Sequence, residues 1–239
     1  MKQLFVLAAI AAAAIAPAHA VVVTQWNFNS VTPDGNTSTG TTAPAIGSGT
    51  ASLVGGITGS FASGDATGGS SDPASGDDSG WQTTTYAAQG TGDKTRGVQF
   101  LVSTVGYTNV MVSWDQRHSN TASRYALFQY TTDGSSFMDA MVFEADQGGD
   151  RWYNARSMDL SSVAGVANNA NFGFRIVATF APSTTSYLAS TASNSYATTG
   201  TNRFDMVTVM AAPVPEPETY ALMLAGLAAV GLMARRRQA

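Results

Sequence analysis

Phe172, Phe174, Ile176, Ala178 and Phe180 fall on every second residue, with Gly173, Arg175, Val177 and Thr179 between them. A period of two marks a strand with one buried face, because successive side chains on extended backbone point to opposite sides. The period recurs at Val22, Thr24, Trp26 and Phe28, at Val98, Phe100 and Val102, at Val110, Val112 and Trp114, and at Ala126, Phe128 and Tyr130. Residues 137–144 read as a return strand after the turn sequence Thr132-Asp133-Gly134. Residues 204–210 form a closing strand, with Val207 and Val209 facing away from Met206 and Thr208. No body segment carries a long helical period, and residues 161–170 suit only a short helix or a turn. Short strands joined by Gly- and Asp-rich connections predict an all-β protein, an antiparallel sandwich of jelly-roll type. Its first and last strands should be sheet neighbours.

Residues 30–92 are rich in Gly, Ser, Thr and Ala, with few large side chains. Trp81 and Tyr86 need burial, so the stretch is expected to hold ordered loops with weak strands near 51–57 and 81–88 rather than a flexible linker. Residues 184–201 form a second long polar loop.

Both ends differ from this body. Met1-Lys2-Gln3 is followed by the apolar run Leu4 to Ile15 and by Ala18-His19-Ala20, the pattern of a secretory signal peptide cut after Ala20. Residues 1–20 are therefore expected to be removed by signal peptidase after passage through the Sec translocon. At the other end Pro215-Glu216-Pro217-Glu218 leads into residues 219–234, sixteen positions without a charge or a proline, and then Arg235-Arg236-Arg237. Sixteen residues at ~1.5 Å each give roughly 24 Å, somewhat short of a ~30 Å hydrocarbon core. With snorkelling arginines at its end, the segment is expected to act as a single transmembrane helix with the body outside the inner membrane.

This tail resembles the PEP-CTERM sorting signal of Gram-negative bacteria, carried here by Pro215, Glu216, Pro217, the apolar span and the membrane-stop arginines Arg235, Arg236 and Arg237. The resemblance implies recognition by an exosortase, a tethered precursor, and delivery to the cell surface or extracellular matrix of an exopolysaccharide-producing, biofilm-forming bacterium. The chain then divides into residues 1–20, a secreted domain at 21–212 and a sorting signal at 213–239.

Of the 12 Lys and Arg, four lie in the targeting ends, and of the 16 acids two do, which leaves the body 8 basic and 14 acidic groups, net −6. That balance excludes a nucleic-acid surface, which needs clustered positive charge. Cysteine is absent, so there is no disulfide framework, thiolate metal site or cysteine nucleophile. Thirteen of the body acids are Asp, a residue of turns and of oxygen-rich cation sites. Asp65, Asp72, Asp77 and Asp78 share one loop, and Asp205 lies on the closing strand. These five are the candidates for a structural calcium ion, the one cofactor the sequence suggests.

Asp115, Arg117 and His118 lie in the run Trp114–Tyr125, between two expected strands. Trp152 and Tyr153 add an aromatic pair, and together the five are the candidate ligand-binding residues. His118 is the one histidine left after signal cleavage. Asp115, His118 and Ser119 make a poor triad, because neighbours on a strand face opposite ways and no Gly-x-Ser-x-Gly elbow is present. No catalytic set is assigned. The run Trp114–Tyr125, Gln129-Tyr130-Thr131-Thr132-Asp133-Gly134 and Phe204-Asp205-Met206-Val207-Thr208-Val209 resemble extracellular jelly-roll domains of bacterial surface proteins. In that family Asn stands where this chain has Met206. The expectation is a non-enzymatic matrix protein, structural or carbohydrate-binding, with polysaccharide as partner. A secreted hydrolase of matrix glycans is the alternative.

Overall fold

The computed structural model describes residues 19–74, 76–214 and 217–236. Residues 20–214 form one compact unit. It is an antiparallel β-sandwich of two sheets.

The first sheet contains β1 (Val21–Trp26), β3 (Thr58–Ser63), β4 (Ser79–Thr84), β6 (Tyr107–His118), β9 (Arg151–Asp159) and β11 (Asn202–Pro213). Its order is β3-β4-β11-β6-β9, with β1 also on β11. The second contains β2 (Thr50–Val54), β5 (Gly97–Leu101), β7 (Tyr125–Thr131), β8 (Met138–Glu144) and β10 (Gly173–Thr179), in the order β2-β5-β10-β7-β8. The expected neighbourhood of first and last strands holds, with Trp26 opposite Val207 and Val21 opposite Ala211.

The period-two residues face one another across the sandwich. Phe100, Phe174 and Phe128 form a row of near-parallel rings, with centroids 4.9 and 5.4 Å apart, and Trp114 continues it 5.4 Å from Phe128. All four are at most 1% exposed. Burying each large ring removes it from water at a gain of roughly 1.5–3 kcal/mol, so the row anchors the fold. Trp81 and Tyr86 are buried as expected. Tyr86, Ile57, Ala178 and Tyr187 form a smaller cluster under the loops, where Tyr187 and Tyr196 stack at 4.6 Å.

Two features of the sandwich differ from expectation. Residues 115–118 are not a connection but the end of β6, because Gln116 and His118 point inward and are buried. Strand β9 was not expected at all. Residues 161–170 are turns, one of the two forms expected there.

The signal-peptide residues 1–18, together with Pro215, Glu216 and Arg237, lie outside the described residues. Pro217–Arg236 form helix α1, with Arg235 and Arg236 in its last turn. The expected membrane span is corrected here: among the described residues no helix is long and apolar enough to cross a membrane. Seven of the sixteen residues at 219–234 are Ala or Gly, which dilutes the apolar content of an already short run.

Candidate functional site

Strand β11 changes neighbours halfway along. Asn202–Phe204 pair with β4, whereas Val207–Ala211 pair with β1. The gap between β4 and β1 opens at Asp205 and Met206, and Met206 takes a left-handed conformation there (φ 46°). Phe28, just past β1, is also left-handed (φ 55°) and turns the chain so that Asn29 reaches the same gap. The loop entering β4 brings Asp72 and Asp78.

Asp72, Asp78 and Asp205 each offer a carboxylate oxygen, and these oxygens lie within 4.8 Å of one another. Asp205 is 0% exposed and Asp78 1%. Ser70 Oγ donates to Asp78 Oδ2 (3.1 Å), Asn29 Nδ2 to Asp72 Oδ2 (2.9 Å), and the Met206 N–H to Asp205 Oδ1 (2.7 Å). Asn29 is itself held, because its Oδ1 accepts the Ser79 N–H at 2.8 Å. Asp78 Oδ1 and Asp205 Oδ2 are buried without a partner among the described residues. A side chain at Gly64 would collide with the Asp78 carboxyl, so the cradle closes only around glycine.

The electrostatics are those of an unbalanced site. Burial, and then the charge of Asp78, push the Asp205 carboxyl well above the usual range. Burial pushes Asp78 up to about 6, and the Asp72 charge adds to the rise. The nearby cation, Arg203, donates instead to Ser63 O and to Gln82 Oε1 (2.6 Å). Buried charge without a partner costs several kcal/mol. Closely spaced carboxylate oxygens with two orphaned lone-pair sites fit a hard divalent cation such as Ca²⁺, which takes oxygen ligands only.

Of the five acids suggested for calcium, the fold brings together Asp72, Asp78 and Asp205. Asp77 Oδ1 instead accepts the Asp34 and Gly35 N–H groups (2.9 and 2.8 Å), and Asp65 Oδ2 accepts the Gly76 N–H (3.2 Å). Both build turns. Sequence reading missed Asn29, Ser70 and Gly64, whose roles depend on a fold that no local pattern encodes.

The five candidate ligand-binding residues gather on β6 and β9, where Arg117 pairs with Trp152 and Gln116 with Tyr153. Most are engaged by the protein itself. Asp115 accepts the Ser71 N–H on Oδ2 and the Ala155 N–H on Oδ1 (2.7 Å). Arg117 Nε donates to Thr67 Oγ1 (2.7 Å) and Nη2 to Asp150 (2.6 Å), while Trp152 Nε1 donates to Ala66 O (2.9 Å). Asp115, Arg117 and Trp152 thus fasten the loop that carries Ser70 and Asp72. His118 is fully buried, with Nδ1 2.8 Å from Ser123 O and its ring edge-on to Tyr153. Burial, then the Arg156 charge, lower its pKa to about 3, so it is neutral at physiological pH. Tyr153, partly exposed, donates its hydroxyl to Asp146 Oδ1 (2.6 Å).

Residues 213–237 match a family described as the PEP-CTERM protein-sorting motif. No curated protein matches the chain. Among solved structures, the N-terminal CBM22-1-CBM22-2 tandem domain of Paenibacillus barcinonensis Xyn10C aligns with 87% of this chain at 11% identity and a TM-score of 0.48. The alignment covers 53% of that protein, so this chain spans about half its length. The CBM22-1 xylan-binding domain of the same protein aligns with 69% of this chain at 8% identity and a TM-score of 0.37, over 87% of its own length.

Proposed function

We propose that a chain carrying this sorting motif is an exosortase substrate whose β-sandwich is delivered outside the inner membrane as a non-enzymatic, carbohydrate-binding component of the envelope or extracellular matrix. One observation carries the reading: the motif at 213–237 begins where the last strand, β11, ends at Pro213. The motif implies exosortase-dependent export from a membrane-anchored precursor, after which the folded unit is released or attached. Exopolysaccharide is the partner this route favours.

The site geometry supports a binding rather than a catalytic role. The histidine of the body is sealed in the interior, and Asp115 is saturated by backbone N–H groups. Asp72, Asp78 and Asp205 would hold a calcium ion. That ion would supply the positive charge missing from the gap and pin the loops after β1 and before β4 to β11.

The test is co-expression with a cognate exosortase, followed by intact-mass measurement of the exported product. Loss of the tail in the parent, and its retention in Glu216→Ala, is the expected result. An uncut parent found in the cytosol overturns the sorting route. On a glycan array, binding without turnover is expected, with and without chelator compared. Release of reducing ends would replace this reading with a hydrolase.

A further inference from the structure

Strand β11 runs directly into the sorting motif, and its last residues still belong to the sheet. Ala212 lies opposite Thr108 and Pro213 opposite Tyr107, and the Val214 N–H donates to Gly106 O at 2.8 Å. The matched motif starts at residue 213. Only Pro215 and Glu216 then separate Val214 from Pro217, where α1 begins. Two residues add at most ~7 Å of chain. The wall of an enzyme groove is at least one layer of secondary structure thick, about 10 Å. A groove therefore cannot close around this segment without displacing residues of the sandwich.

Proline placement decides which edge of the chain an enzyme can use. Pro213, Pro215 and Pro217 take alternate positions, and proline has no N–H. On extended backbone alternate residues turn their N–H groups to the same side. One edge of the extended segment thus has no donor, and Val214, Glu216 and Glu218 supply every N–H from the other. A protein that reads an extended peptide through its backbone does so by strand addition, which here has to use that second edge. In the folded domain Val214 already gives it to Gly106. An enzyme and β6 compete for one row of hydrogen bonds.

The β6 side of this contact is held, and the β11 side is not. Gly106 N–H donates to Asn168 Oδ1, the Asn168 N–H to Tyr107 O and the Tyr107 N–H to Thr104 O, each at 2.9 Å. By contrast, pairing of β11 with β1 stops at Ala211, and its register against β6 slips between Met210 and Ala212. Among the described residues, 212–214 pair with one neighbour only. Their side chains are short, and Val214 is 46% exposed. A strand end of this kind opens locally while the rest of the sheet stays closed. Resting on the proposed exosortase route, we infer that residues 212–214 are a latch: they peel from β6 to pair with backbone groups of the exosortase, and the tail is cut only in that opened form. Cutting breaks one peptide bond, whose nitrogen leaves with the tail and whose acyl carbon passes to water or to an amine or hydroxyl acceptor. The sandwich thereby sets the rate of its own release.

The test mixes the full exported chain, tail intact, with membranes carrying the cognate exosortase and follows the cut fraction by intact mass. The parent is compared with a chain bearing a flexible Gly-Ser linker of about six residues between Val214 and Pro215, and with Thr108→Cys plus Ala212→Cys. Positions 108 and 212 face each other in register at a separation that suits a disulfide, and the chain has no other cysteine. The double variant is oxidised or reduced before mixing. Cutting of a transiently opened chain follows the population of the open form, so the linker form should be cut at least about fivefold faster than the parent. The oxidised pair should be cut at least about tenfold more slowly, and prior reduction should restore the parental rate. Melting curves check that the variants fold, and the linker form decides alone should the cysteine pair fail to. A linker form cut no faster than the parent, or an oxidised pair cut as fast as the reduced one, overturns the latch while leaving the exosortase route in place. Absence of cutting in every form overturns both.

Discussion

Asp205→Asn should move stability in opposite directions depending on whether calcium is present. Without a metal, the Asp78–Asp205 pair carries charge that the gap does not neutralise. Lifting Asp78 from 3.8 to about 6 corresponds to about 3 kcal/mol at ~1.4 kcal/mol per tenfold. Screening through the partly exposed Asp72 trims this to about 2 kcal/mol. The folded state holds its proton more tightly than the unfolded chain, so the penalty is absent below pH 3.8 and grows as pH rises through about 6. Asn at position 205 removes the more deeply buried of the two carboxyls, whose own penalty has the same cause and sign and is of this order. In chelator at neutral pH the variant should therefore melt about 4–8 °C above the parent, at ~2–4 °C per kcal/mol for a domain of this size. Calcium reverses the order. At a hundredfold excess over its dissociation constant, the ion stabilises the parent by about 2.7 kcal/mol, and the variant loses most of that gain. Differential scanning fluorimetry of both proteins, in chelator and in calcium, reads all four values. A parent melting temperature indifferent to calcium, or a variant equally destabilised in both buffers, would refute the argument.

Phe128→Ala removes the middle of the aromatic row and should cost about 3–5 kcal/mol in urea unfolding. Met206→Asn should stabilise by about 0.5–1 kcal/mol, because Asn tolerates the left-handed backbone that Met adopts with strain, and a thermal melt in calcium checks it. His118 has its pKa lowered from 6.5 to about 3, so protons favour the unfolded chain and stability falls with acid below 6.5. Between about pH 7 and pH 5 this amounts to about 2 kcal/mol of urea stability, which His118→Gln should abolish. The parent-minus-variant difference isolates it from the opposite slope of Asp78.

Strands β1, β5, β7, β10 and the middles of β6 and β11 were legible because their buried faces are apolar and alternate. The rest of the sandwich is filled by chemistry that hydrophobic periodicity does not register. Gln116 Oε1 accepts from Arg156 Nη1 at 2.9 Å, and its amide nitrogen donates to Asn202 Oδ1 at 3.2 Å. This buried polar network extends β6 through residues that look like a loop. Strand β9 hides for a related reason. Its inward Arg156 lies over the Phe143 and Tyr153 rings, and Ala155 (φ 56°) sits at the register shift that breaks the alternation. Strand β3 has one large side chain, Phe61, and takes its register from β4. For the metal cluster, the sequence offered the right residue type but not the partition. Asp72 and Asp77 look alike in one loop, and only the split of the sheet at Asp205 decides which one meets it.

The pairing of β1 with β11 ties residue 21 to residue 211. A chain threaded outward from its N-terminus exposes β1 first and receives that partner last. Until then Trp26 has no sheet to complete, and the ring row is open along one side. Slow long-range closure of this kind is characteristic of all-β topologies. The architecture thereby sets a sequence of events: the other strands pair first, and the clasp shuts only when β11 arrives. Any product cut short before β11 would present an unpaired strand and a bare aromatic wall, the kind of exposed edge that invites aggregation.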